Sequence, residues 1–147
     1  MNKILPNFRY QIPVYSLLLI VFTGVLFSCA KKVSFIPSPL VPQAEGIARI
    51  KKDKNNNYEI QVNITYLPPA SKIDGAKDTY VVWAVTTQNN TKKLGQINTS
   101  NGLLSSKYKA SLTIAIPEEP TRIYITSEYN ALVEYPGPDM IMSTKTF

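Results

Sequence analysis

Residues 58–66, Tyr58-Glu59-Ile60-Gln61-Val62-Asn63-Ile64-Thr65-Tyr66, alternate apolar and polar side chains over nine positions. A period of two is that of a strand with one face in a core and one in water. Tyr58, Ile60, Val62, Ile64 and Tyr66 share a face, and each of the three aliphatics contributes roughly 1.5–3 kcal/mol if fully buried. Upstream, residues 47–52 make a shorter strand. Asp53-Lys54-Asn55-Asn56-Asn57 joins the two as a hairpin loop, because Asn and Asp tolerate left-handed backbone.

The same grammar runs downstream. Pro68-Pro69 ends the strand, and Asp74-Gly75 gives a turn in a loop over 67–78. Residues 79–86, TYVVWAVT, are apolar on both faces and predict a central strand. Residues 88–91 turn the chain, and 92–97 form a short strand containing Gly95. Asn101-Gly102 marks another turn before 108–116, which alternates again. Pro117 and Pro120 bracket a turn, and 122–129 and 139–146 supply two last strands. Residues 130–133 allow one helical turn at most. About seven strands with turn signals every 8–12 residues predict an all-β, Ig-like antiparallel β-sandwich over residues 44–147. Cys29 is the only cysteine, so no intrachain disulfide supports it and the core alone must hold it.

The N-terminal part has a different character. Residues 1–16 carry Lys3 and Arg9 and no acid, and residues 17–27 are an apolar run of 11, followed by Ser28 and Cys29. A basic start, a short apolar middle and a small boundary residue read as a secretory signal over 1–28. The run is shorter than the ~20 residues a spanning helix needs. An uncleaved N-terminal anchor is the alternative, disfavoured by Lys31 and Lys32 flanking the far side. Leu26-Phe27-Ser28-Cys29 resembles the lipobox of bacterial lipoproteins. The resemblance implies cleavage before Cys29, acylation of its thiol, and a lipid-anchored protein of the cell envelope. Ala30, where an aspartate would favour inner-membrane retention, implies the outer membrane in a diderm organism.

Residues 29–43 then read as a lipidated start and a proline-rich stretch with Pro37, Pro39 and Pro42. As an extended tether, residues 31–43 reach up to ~40 Å from the bilayer at about 3.1 Å per residue. The alternative is that residues 33–36 pair as an edge strand.

"YVVWAVTTQNNTKKLGQI" and "RIYITSEYNALVEYPGP" resemble the extracytoplasmic domain of anti-sigma-K factors, through Trp83, Leu94-Gly95, Thr126-Ser127-Glu128 and Pro136. The resemblance spans about 79–146 and implies a sandwich. A cytoplasmic sigma-binding domain has no counterpart in the 28 residues before Cys29, so the anti-sigma activity is not part of what it implies.

Signals of chemistry are sparse. The chain has no histidine, the usual general base and metal ligand. Its carboxylates show no acid–base or metal-ligand spacing, and no phosphate loop is present. No catalytic residue, metal site or cofactor is expected. Past the leader, 14 basic and 10 acidic residues are scattered, only two of them arginines, so no nucleic-acid partner is expected. Trp83, between valines, reads as core. Tyr66 beside Pro68-Pro69, with Tyr129 and Tyr135 flanking 130–134, are candidates for a ligand-binding face, or else pack over the ends of the sandwich. The expectation is a membrane-anchored lipoprotein carrying a non-catalytic structural or interaction module for an envelope protein. The alternative is a glycan- or peptide-binding domain using those tyrosines.

Overall fold

The computed structural model describes residues 30–73, 75, 77–101 and 107–147. The expected signal segment and Cys29 lie outside the described residues, as do Asp74 and Gly102 of the expected turns. The chain forms nine antiparallel strands: β1 (Lys31–Pro37), β2 (Glu45–Lys52), β3 (Tyr58–Thr65), β4 (Thr79–Thr86), β5 (Thr91–Ile97), β6 (Thr99–Asn101), β7 (Tyr108–Ile116), β8 (Pro120–Glu128) and β9 (Met140–Thr144). A short 3-10 turn, Ala70–Lys72, interrupts the loop after β3. The order β5-β4-β8-β9-β1-β2-β3-β7-β6 folds into two facing sheets. β1, β2, β3, β7 and β6 make the first sheet, and β5, β4, β8, β9 and β1 the second. The all-β, Ig-like sandwich expected from the alternating strands is the observed architecture. It has two more strands than the seven expected.

The two additional strands sit at the sides of the sandwich. β1 pairs with β2 through Lys31–Ser34 and with β9 through Phe35–Pro37, so one strand belongs to both sheets. On the opposite side the chain leaves β5 in the second sheet and enters β6 in the first across Asn98 alone. The first gap is thereby closed by hydrogen bonds and the second is crossed by the chain, so the sandwich is nearly a closed barrel whose two edges are β5 and β6. Residues 31–37 are therefore not a free spacer. Of the two readings of this stretch, pairing is what the structure contains, at an inner position rather than an edge. Pro39 and Pro42 shape the turn between β1 and β2. Gly46 makes the crossing of β1 possible: a Cβ there would lie 2.9 Å from Cδ2 of Phe35, whose ring plugs the core at the switch point.

The core lies between the sheets. Ala48, Ile60, Val62 and Ile64 of the first meet Tyr80, Val82, Ala84, Ile123, Ile125 and Met142 of the second, and all are buried. Their partners at odd register on β3, Glu59, Gln61, Asn63 and Thr65, face outward, as the alternation of residues 58–66 requires. The Asp53–Asn57 turn forms as expected. The Asp53 carboxylate accepts the backbone N–H groups of Asn55 (2.7 Å) and Asn57 (2.9 Å), and Asn56 takes φ of 64°.

β4 follows a different rule. Six of its eight residues from Thr79 to Ala84 are buried in sequence, which requires cover on both faces. Tyr80, Val82 and Ala84 face the inter-sheet core. Val81 and Trp83 face the other way and join Tyr124 in a second, smaller cluster. Trp83 is fully buried, so the reading of it as core holds, but its core lies outside the sandwich, where Val85 and Val133 pack around it.

Candidate functional site

What covers Trp83 is the connection between β8 and β9, residues 129–139, folded as a strap onto the outer face of the second sheet. Trp83 Nε1 donates to Thr126 Oγ1 (2.8 Å), and the Thr126 hydroxyl donates to Glu128 Oε1 (2.6 Å). The same oxygen accepts the Gly137 backbone N–H (2.7 Å). Indole, hydroxyl, carboxylate and amide form one chain from mid-sheet to the strap. Thr126 and Glu128 are buried, and every polar group named in the chain has its partner, as a buried network requires. Glycine is needed at 137, because a Cβ there would lie 2.8 Å from Glu128 Oε2.

Two lysines tie down the rest. Lys93 Nζ donates to the carbonyls of Ala131 (2.9 Å) and Val133 (3.0 Å). Lys77, itself buried, pairs with Asp139 at 2.7 Å and lies 5.2 Å from the ring centre of Tyr129. The hydrogen bond that Lys77 donates to Asp139 holds its ammonium above the usual lysine range against its burial. Asn130 Oδ1 accepts the Leu132 N–H, closing a local turn in the strap.

Apart from Val133, which packs on Trp83, the pinned strap presents its large apolar side chains outward. Tyr129 is 68% exposed, Leu132 86% and Tyr135 80%. All three sit on one short connection, which joins β8 to β9 at the end away from Lys31, where Pro37 pairs with Met142, and folds back over the second sheet. Three exposed large side chains within seven residues have the composition of a recognition segment.

Tyr66 belongs to a different feature. It stands at the end of β3 in the left-handed region, with φ of 59°, an uncommon state for an aromatic residue. Its N–H donates to the Tyr108 carbonyl (2.7 Å), and Lys107 sits 5.1 Å from its ring centre. The Tyr66 hydroxyl raises the pKa of Lys107 above the usual range. Tyr66 lines a groove of about 350 Å³ with Leu40, Val41, Pro42, Pro68 and Tyr108. Below it, the Tyr80 hydroxyl donates to the Pro68 carbonyl (2.8 Å), and burial pushes the Tyr80 phenol well above its usual range. A second groove, about 570 Å³, runs along the outer face of β1 and β2 past Arg49 and Glu45.

The three tyrosines singled out from sequence thus do not share one pocket. Tyr129 and Tyr135 belong to the strap, and Tyr66 to the proline-lined groove. Sequence reasoning missed Leu132, Tyr108 and the Trp83–Thr126–Glu128–Gly137 chain. The available signal was the double-sided apolar run of β4, which demands an outer cover, together with Gly137 between two prolines in the segment that supplies it. Among the described residues no group of three His, Cys, Asp or Glu side chains is placed to hold a metal ion, and no helix is long and apolar enough to cross a membrane. No protein-family model, curated protein or solved structure matches the chain.

Proposed function

We propose that the chain is a bacterial lipoprotein, anchored through Cys29, whose sandwich is a non-catalytic interaction module of the cell envelope. The observation that carries this reading is the opposition of the two ends. β1 begins at Lys31, two residues after Cys29, and the exposed Tyr129, Leu132 and Tyr135 are carried by the connection that joins β8 to β9 at the other end. A lipid at Cys29 would hold the first end at the bilayer and present the patch to a partner. The geometry of the patch also favours a protein surface over a small molecule, because its side chains project from a strap instead of lining a cavity.

The test compares wild type with Cys29→Ser in the producing cell by intact mass and detergent-phase partitioning. Wild type is expected to begin at an acylated Cys29 and enter the detergent phase, and Cys29→Ser to leave it. A wild-type mass starting at Met1 with a free thiol overturns the reading.

The left-handed Tyr66 beside Tyr108 and the prolines favours a second reading, a glycan- or peptide-binding groove. Strained aromatic backbone is retained where a side chain must be aimed. Co-sedimentation with purified peptidoglycan sacculi decides it. Binding that Tyr66→Ala and Tyr108→Ala abolish supports the groove, and binding equal to wild type in both variants removes it.

A further inference from the structure

We propose that the end of the sandwich where β1 begins is a basic platform that lies flat on anionic lipid headgroups. This inference rests on the anchored reading for its setting, and on the following placement for its substance. The start of β1, the end of β2 and the turn into β3 bring together Lys31, Lys32, Arg49, Lys51, Lys52 and Lys54 beside Asp53 and Glu59, and the β7–β8 turn at the same end adds Glu119 and Glu118, the latter paired with Lys92. All six are at the surface, and none makes an ion pair among the described residues. Lysines scattered in sequence are gathered here by the β1–β2 pairing. The opposite end carries Lys72, Lys77, Lys107 and Lys109 against five described carboxylates: Glu45, Asp78, Glu128, Glu134 and Asp139.

Two features mark the cluster as built for a partner. Lys32 and Arg49 are direct cross-strand neighbours on the outward face, a like-charge juxtaposition that weakens a sheet unless an anion lies over it. Lys31 and Lys52 lie on the core-facing side of their strands, at the open mouth of the sandwich. Their ammonium groups sit over aromatic rings, 4.9 Å from the centre of Phe147 and 5.3 Å from that of Tyr58. Their stems cover apolar surface while the charges point out along the strand axis. Cys29 precedes Lys31 by two residues in the sequence, so an acyl group on it would keep this end close to the headgroups. A bilayer rich in phosphatidylglycerol is the occupant whose charge and position both fit.

The test uses the purified native protein mixed with vesicles of phosphatidylcholine alone or with one-third phosphatidylglycerol. Lysines are acylated by a water-soluble amine reagent and counted by mass spectrometry, and vesicle association is read by flotation. On anionic vesicles, labelling of Lys31, Lys32, Lys51, Lys52 and Lys54 is expected to fall several-fold, with Lys72 and Lys109 unchanged. Lys32→Gln/Arg49→Gln is expected to weaken this protection about tenfold at low salt. The same variant should fold at least as stably as wild type, since a repulsion is removed. Lys72→Gln/Lys109→Gln, an equal charge loss at the other end, is expected to keep the protection. Flotation with both vesicle types and uniform labelling at both ends leaves the anchor standing and overturns the platform. Equal protection on neutral vesicles also overturns it, since charge is then irrelevant. If the protein carries no acyl group, the anchored reading falls. The platform then stands only if flotation with anionic vesicles is salt-sensitive and lost in Lys32→Gln/Arg49→Gln. Failure to float, or flotation that this variant retains, overturns it.

Discussion

The outer faces of the two sheets differ, although both back onto the same core. On the first sheet, Glu59, Gln61, Asn63 and Thr65 of β3 and Lys109, Ser111 and Thr113 of β7 are partly or fully in water. On the second, Val81 and Trp83 of β4 and Tyr124 of β8 lie under the 129–139 strap. The difference shows that an alternating strand and a continuously apolar strand can be neighbours in one small sandwich, provided a connection supplies the missing layer. The second face therefore carries stability that the first does not.

The largest effect expected from this contrast is that of Trp83→Ala, which removes the centre of the outer cluster. It should destabilise the domain by about 3–5 kcal/mol in urea titrations. Gln61→Ala, at the corresponding outward position of the first sheet, should stay within about 0.5 kcal/mol. A loss below about 1 kcal/mol for Trp83→Ala would mean that the strap is not a second core. Glu128→Ala comes next. It strands the Thr126 hydroxyl and the Gly137 amide, and should cost about 2–3 kcal/mol. Hydrogen exchange should then accelerate in the strap well before β3 is affected. Two glycines separate close contact from backbone strain. Gly137→Ala forces a methyl against the Glu128 carboxylate and should cost about 1–3 kcal/mol. Gly75→Ala meets nothing within 4 Å but keeps φ of 80°, and should cost about 1 kcal/mol.

The smallest expected effect is one of pH, and it has opposite signs on the two sides. Lys77 has its pKa raised by Asp139. Its contribution is complete below the unfolded value near 10.5 and is lost as pH climbs through the higher folded value. Asp53 has its pKa lowered by the Asn57 amide. Its contribution is complete above the unfolded value near 3.8 and is lost as pH falls through the lower folded value. Trp83 is the only tryptophan, so its fluorescence reports the strap alone. The emission should shift in strong alkali and hold in mild acid. Asp139→Asn should remove the alkaline step.

The alternating strands were legible from the sequence because their period is local. β3 and β7 begin and end within a residue of their expected limits, and β4 coincides with its own. β1 was harder. Its prolines suggested an extended tether, and extended backbone suits a spacer or a strand equally. Only its partners on β2 and β9 decide between them, and those are tertiary facts. β6 is three residues long and carries no period at all. The candidate tyrosines were found one by one for the same reason. Composition marks Tyr66, Tyr129 and Tyr135 as unusual, but which of them are neighbours depends on how the 129–139 connection folds back. The Glu128 carboxylate that fixes that fold was legible only as the last member of a Thr-Ser-Glu string.

The shared strand β1 also dictates an order of assembly. Its second half pairs with β9, so the first strand to be made finds half its partners only in the last. Contacts between opposite ends of a chain are slow to form, because the loop they close is nearly the whole domain. In a chain made from its N-terminus, the second half of β1 has no partner in the second sheet until Thr144 is made. Closure of this seam is therefore expected to be a late step in folding.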